Sequence, residues 1–342
     1  MRYQKIFVLL FVFCFAFASS SFSAEIAKYA GEFMSIGVGA RALGMGGAYV
    51  AAGSDVTTGY WNPAGLAALN FPDIAAMHSR RFGGVINYDY AGIALPFREK
   101  ESLGFSFIRL AVDDIPITAL PRPNLPINAE YTDEQGNLLA NRPYIEKTVN
   151  YGEYAFYLSY AKKRSETFSY GANVKFIHKG GAGNSAWGIG FDVGALWNPV
   201  GDLLAGVNFQ DVTTTLLAWD TGKQELISPT LKTGLAYPLV LHSFPARVLF
   251  ASDVDVRFEG RSTAAQASLG ALSFDFRLGT EVLMLNVIAV RLGIDAGNLT
   301  AGAGFRLPRL DIDYAFLKHD DLNATHRVSL RIRLEEKRFA RF

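Results

Sequence analysis

Two neighbouring stretches decide the fold: ETFSYGANVKFIH at 166–178 and SAWGIGFDVGALW at 185–197. In the first, Phe168, Tyr170, Ala172, Val174 and Phe176 share one parity, while Thr167, Ser169, Gly171, Asn173 and Lys175 share the other. In the second, Trp187, Ile189, Phe191, Val193, Ala195 and Trp197 alternate with Gly188, Gly190, Asp192 and Gly194. Successive side chains of a strand point to opposite faces. A period of two over this length therefore means strands with one apolar face and one polar or tiny face.

The pattern returns along the chain. Tyr154, Phe156, Leu158 and Tyr160 oppose Glu153, Ala155 and Ser159; Val248, Phe250, Val254 and Val256 oppose Arg247, Asp253 and Asp255; Leu310, Ile312, Tyr314 and Phe316 oppose Asp311 and Asp313. Strands of a soluble sandwich, the alternative architecture, usually run about 5–6 residues. These run about 9–13, the length a tilted strand needs to cross a bilayer. Tyr154, Tyr160, Trp187 and Trp197 sit near the ends of their apolar faces, as interfacial girdles do. Closure removes the sheet edges whose polar groups lipid cannot satisfy. Fourteen candidate strands fit between residues 73 and 334, the first two with the poorest alternation. The expected fold is all-β: a transmembrane antiparallel barrel with long polar connections at 113–148 and 211–228 and short ones at 161–165 and 198–201.

Bulk properties agree. The 342 residues carry a formal net charge of +1, which offers nucleic acid no basic field, and the charged fraction of 19% suits neither disorder nor a helical membrane protein. Arg2 and Lys5 followed by IFVLLFVFCFAFA (6–18) and small residues read as a cleaved signal peptide, 1–24, with the cut between 20 and 25. The only cysteine, Cys14, lies in that leader, so disulfides and thiolate metal sites are not expected in the mature chain.

The segment IGVGARALGMGGAYVAAGSDVTTGYWNPAGL (36–66) is glycine-rich and holds one cation, Arg41. It matches neither the dinucleotide fingerprint nor the P-loop, and no strand leads into it. FMSIGVGARALGMGGAYVAAGSDVTTGYWNPAGLAAL (33–69) resembles the N-terminal signature of the PorV/PorQ family of outer-membrane proteins, and LDIDYAFLKHDDLNATHRVSLRIRL (310–334) resembles that family's ending. The family is related to FadL-type transporters of long-chain fatty acids, whose barrels have fourteen strands and an N-terminal plug. The resemblance implies a hatch at 25–70 inside a barrel at 71–334, with Gly37, Gly39, Arg41, Gly44, Gly46, Gly47, Trp61, Asn62 and Pro63 along the hatch and substrate path. A periplasmic N-terminal arm is the other reading of the segment. The tail EEKRFARF (335–342) departs from the family, because it breaks the alternation beyond Leu334.

The polar parity of the later strands is rich in both signs: Asp253, Asp255, Asp275, Glu281, Asp295, Asp311 and Asp313 against Arg247, Arg257, Arg277, Arg291, Arg306, Arg327, Arg331 and Arg333. An ion-selective pore shows one dominant sign. Mixed signs point to ion pairs that fill and stiffen a lumen, with a polar solute path as the alternative. In SLGFSFIRLAVDDIP (102–116) the apolar parity switches between Phe107 and Ile108, which predicts a bulge there. The FadL relationship implies that such a kink, at Phe105, Phe107 and Ile108, opens the wall sideways; a bulge that only adds twist is the plainer reading. The histidines at 78, 178, 242, 319 and 326 have no metal spacing, and no catalytic motif occurs, so neither an enzyme nor a cofactor is expected. Three functions follow for a diderm outer membrane. They are passive uptake of hydrophobic small molecules, a PorV-like role in type IX secretion that binds secretion-system proteins or secreted cargo, and a structural role with outer-membrane lipid as the only partner.

Overall fold

The computed structural model describes residues 25–26, 30–181, 183–241, 243–261, 265–318 and 324–336, the first two as backbone only. The leader expected at 1–24, with Cys14, and the tail from 337 to Phe342 lie outside the described residues.

Fourteen strands form the wall: β1 Asp73–Arg81, β2 Ile86–Arg98, β3 Glu101–Ala119, β4 Tyr144–Ser165, β5 Phe168–Gly181, β6 Asn184–Trp197, β7 Leu204–Gln210, β8 Thr230–Leu241, β9 Ala246–Arg257, β10 Leu272–Met284, β11 Ile288–Asp295, β12 Asn298–Leu307, β13 Leu310–Leu317 and β14 Thr325–Arg333. Each pairs antiparallel with its sequence neighbour. The ring closes between β1 and β14, in register from Asp73↔Arg333 to Arg80↔His326. The alternating faces sort as their chemistry requires. Phe191, Phe276, Leu292 and Leu330 are exposed on the outside, whereas Asp192, Asp275, Arg291 and Ser329 are buried inside. A continuous apolar outer belt of this kind faces lipid. No helix among the described residues is long and apolar enough to cross a membrane, which says nothing of the strands.

One end of the barrel carries tight turns, such as the Leu285–Asn286 corner with φ of 53° and 55°. The opposite end carries the longer connections. There β3 and β4 continue their ladder out to Ala119↔Tyr144, so only 120–143 of the expected 113–148 loop leave it, and these carry a short hairpin of their own, Glu130–Thr132 with Leu138–Ala140. A hairpin, Thr215–Trp219 with Gln224–Ile227, leans on β6 through Leu216↔Ile189 and Trp219↔Ala186. Glu25–Ile26 runs parallel to its second arm.

The bulge expected at Phe107–Ile108 is absent. β3 keeps unbroken register from Glu101 to Val112 against β4, and from Ser102 to Ala111 against β2. The shift falls instead between Val112 and Ile115, where Asp114 takes φ 57°. The change of apolar parity has another cause. Ile108 is fully buried within the apolar core, and Leu110 packs against that core. The inner face of β3 turns apolar where a packed interior meets it, so hydrophobicity switches parity while the backbone does not.

Candidate functional site

Residues 30–69 lie inside the barrel. They form three short helices, α1 Glu32–Ser35, α2 Ala40–Gly44 and α3 Thr58–Trp61, then a 3₁₀ turn at Pro63–Ala68. Helices this short do not hold in isolation, so the wall must hold them. Val38, Ala42, Met45, Ala48, Tyr49 and Ala64 are completely buried. Gly37, Gly39, Gly46 and Gly47 all have positive φ, and a Cβ added at Gly44 would stand 3.1 Å from the Gly302 Cα, a tight contact. At Gly46 both reasons for glycine meet: φ is 66°, and an added Cβ would stand 2.5 Å from the Ile294 carbonyl oxygen. Gly293 answers from the wall, where a Cβ would stand 2.3 Å from the Gly46 nitrogen. Hatch backbone thus touches wall backbone.

Two chemistries tether this hatch. On the β9–β14 side the tethers are charged. Arg41 donates to Glu281 through Nε at 2.9 Å and Nη2 at 2.8 Å, and Glu281 also accepts from Arg291 Nε at 2.7 Å and Arg306 Nη2 at 3.1 Å. Asp253 Oδ2 accepts from the backbone N–H groups of Tyr49 at 2.7 Å and Val50 at 2.9 Å. Next to this wall, on β1, Asp73 accepts from Val56 N at 3.1 Å and pairs with Arg331 at 2.7 Å. On the β5–β7 side the tethers are neutral amides. Asn173 donates to Gly59 O at 2.8 Å, Asn208 to Trp61 O at 2.9 Å, and Asn62 of the hatch to Ala195 O at 3.1 Å. The carbonyls at 59 and 61 end the short helix α3, where no further helical N–H can reach them, and the side-chain amides supply the donors. Trp61 Nε1 donates to Val38 O at 2.9 Å, and Pro63 opens the 3₁₀ turn while Asn62 accepts from Ala64 N at 3.2 Å.

Within the hatch, Arg41 Nη1 donates to Tyr49 Oη at 2.9 Å, and Tyr49 Oη donates to Asp55 Oδ2 at 2.5 Å. Burial opposes ionisation of Asp55. Arg331, Arg41 and hydrogen bonds from Thr57 and Tyr49 outweigh it and hold the carboxyl below its usual range. Burial pushes the Tyr49 phenol well above its ordinary value, so it stays a donor.

The lumen charges found in the sequence assemble as pairs: Arg277 with Asp255 and Asp295, Arg261 with Asp275, Arg257 with Glu32, Arg291 with Asp313, and Asp311 with Arg331 and Arg333. Three depart from this, one of them Arg247, which is exposed and has no ion pair among the described residues. Asp253 binds backbone, and Arg327 has no carboxylate within salt-bridge distance among the described residues. Sequence reading passed over Lys175, whose Nζ lies 2.8 Å from Asp192 and 2.7 Å from Asp211, although Lys175 and Asp192 stand on the polar parity of the two deciding strands. It also passed over Asp55, which binds Tyr49 and Thr57 within the hatch, over Asp73, which meets Arg331 across 258 positions, and over Arg81, whose buried Nε has no hydrogen-bond partner.

The three residues proposed for a lateral opening do not come together. Phe105 and Phe107 face outward, in a row with Phe156 at ring distances of 6.3 and 5.0 Å, while Ile108 faces inward. The free space lies at the two mouths. A cavity of about 450 Å³ at the loop end is lined by Phe33, Ile36, Phe82, Ile86, Leu110 and Leu317 together with Glu32, Glu153, Asp295, Arg81 and Arg327. A cavity of about 800 Å³ at the turn end touches Ala51, Phe168, Leu196, Trp197 and Leu249. The two share no lining residue, because the hatch stands between them.

No protein-family model matches the chain and no curated relative matches it in sequence, so the PorV/PorQ resemblance of the end motifs stands without a family match. Solved structures do match. TbuX, a toluene transporter of Ralstonia pickettii, aligns with a TM-score of 0.55 at 11% identity, covering 87% of this chain and 98% of that one. The monoaromatic hydrocarbon channel CymD aligns at 0.53 with 11% identity over 88% and 98%. A FadL homologue of Pseudomonas aeruginosa aligns at 0.50 with 12% identity over 86% and 97%. At these identities the likeness is one of fold, and the fold is that of the FadL-type hydrophobic-compound transporters: a closed fourteen-stranded barrel with its N-terminal segment inside.

Proposed function

We propose that this chain sits in the outer membrane of a diderm bacterium as a passive, FadL-like channel for hydrophobic small molecules such as long-chain fatty acids. The observation that carries the reading is a hatch that separates two partly apolar vestibules inside a lipid-facing barrel. A rigid open pore needs no such element. A hatch held by short helices and hydrogen bonds can shift and join the vestibules, with no energy source required. Residues 30–69 act as the gate, and Gly37, Gly39, Arg41, Gly44, Gly46, Gly47, Trp61, Asn62 and Pro63 set its packing and tethers. The continuous β3 register favours passage past the hatch over exit through that strand.

The experiment is deletion of the gene, with uptake of a radiolabelled fatty acid and surface delivery of secreted proteins assayed in the same strain. Uptake falling several-fold with delivery unchanged is the expected result. Unchanged uptake ends the channel reading, and lost delivery would revive the secretion role implied by the end motifs.

A further inference from the structure

On the outer surface, rows of directly opposed side chains locate the edge of the lipid belt. His78 on β1, Asp89 on β2, Arg109 on β3, Tyr154 on β4, His178 on β5 and Trp187 on β6 each stand opposite the next, all on the outward parity. One step toward the turns, the row from Ala76 to Ile189 is apolar throughout, with Ala91, Phe107, Phe156 and Phe176 between its ends. One step toward the loops, the row from Arg80 to Ser185 carries no apolar side chain larger than that of Ala111. Hydrocarbon therefore ends at the middle row. Its Tyr154, His178 and Trp187 rings follow one another at 5.9 and 4.2 Å, the aromatic girdle of an interface. Long loops mark the outside of such a barrel, so this is the headgroup level of the outer leaflet.

From β14 to β3 this level is charged, and one cation is left over. Asp89 holds His78 at 2.7 Å and Arg109 at 3.0 Å, while Asp113 takes Asn87 at 3.3 Å and Arg109 at 3.6 Å, so both acids are engaged. Arg80 is exposed and has no carboxylate within salt-bridge distance among the described residues. Register sets it opposite His326 of β14, also exposed, whose Nδ1 lies 2.6 Å from Tyr314 Oη; Nε2 remains to donate. One row below His326 and two below Arg80 the surface is apolar, with Ala76 opposite Ala91 between the larger Leu330 and Phe107. We propose that Arg80 and His326 bind a headgroup phosphate of a lipid anchored in the outer leaflet, whose acyl chain lies over Ala76 and Ala91. A guanidinium offers phosphate a two-pronged donor, and the chain beneath adds apolar contact that a free anion lacks. The inference rests on the outer-membrane placement in the channel reading but not on transport, and its site lies on the outside of the wall, away from the hatch and both vestibules.

The test is native mass spectrometry of the full barrel in a neutral maltoside detergent, titrated near neutral pH with diphosphoryl lipid A, with the same lipid stripped of its phosphates, and with inorganic phosphate alone. Diphosphoryl lipid A should bind about tenfold or more tightly than the stripped lipid, as charge-assisted hydrogen bonds predict, and added salt should narrow the gap. Inorganic phosphate should leave no adduct. Arg80→Gln should remove most of the preference and His326→Gln part of it. Arg98→Gln, an exposed arginine at the turn end, should change nothing. Arg80 is exposed, so its loss leaves the fold intact, and the wild-type comparison needs no variant at all. Equal binding of the two lipids by wild type, a preference that survives Arg80→Gln, or an equal loss in Arg98→Gln overturns the proposal. Inorganic phosphate bound as tightly as the lipid makes this a free-anion site and overturns it as well. Should the two lipids bind alike while fatty-acid uptake still depends on the gene, the lipid site fails and the channel reading stands. If uptake is unaffected by deletion yet the phosphorylated lipid is preferred through Arg80, the reverse holds.

Discussion

The β9–β14 wall and the β5–β7 wall hold one hatch by opposite means. The first meets it with carboxylates, Glu281 on Arg41 and Asp253 on two backbone N–H groups. The second meets it with amides, Asn173 and Asn208 on backbone carbonyls, while its own buried charges, Lys175 with Asp192 and Asp211, pair with one another. Hydrogen bonds with a charged member are roughly twice as strong as neutral ones, and a buried charge left alone is far more costly than a buried amide. One wall therefore behaves as a mount and the other as a catch. A moving hatch should leave the amide side first.

Crosslinks break or sharpen this contrast most directly. The mature chain is expected to lack cysteine, so introduced pairs stand alone. A pair at Ala64 and Ser169, whose backbone oxygen and hydroxyl lie 3.3 Å apart, ties the hatch to the amide wall and should reduce fatty-acid uptake by about tenfold, restored by reductant. A pair at Ala40 and Ser329, where nitrogen and hydroxyl lie 3.1 Å apart, ties it to the charged wall and should leave uptake within about twofold. The opposite pattern would exchange mount and catch.

Next in size is stability. Glu281→Gln leaves Arg41, Arg291 and Arg306 without their shared carboxylate and should cost about 3 kcal/mol in denaturant unfolding. Asn208→Ala strands only the Trp61 carbonyl and should cost about 1 kcal/mol. Equal losses would mean that the two walls hold equally.

The smallest effect is pH. Asp55 ionises more readily in the folded protein than in the unfolded chain, so its contribution is present above the ordinary carboxylate pKa of about 3.9 and is lost as pH falls through the lower folded value. Protease sensitivity of residues 30–69 should stay flat from about pH 8 to 5 and rise below about 4, and Asp55→Asn should flatten that rise. A transition near neutrality would assign the hold to another group.

The wall was legible because its physics is local. Phe168 to Phe176 and Trp187 to Trp197 alternate whatever lies across the barrel, and that period yields strand length, outward face and the fourteen-strand count. Where the lumen is filled, the same rule misleads. Ile108 and Leu110 face inward among buried aromatics, so an apolar parity read as lipid-facing produced a bulge at Phe107 that β3 does not have. Charges could be assigned to the inner face from the sequence, but not to partners. Arg41 finds Glu281 across 240 positions, and Asp253 finds Tyr49 across 204, through a closure that no local period encodes. For the same reason Arg327 reads in sequence as one more member of a balanced network. Only the register that sets it beside Arg81, with every nearby acid already paired, shows it left over.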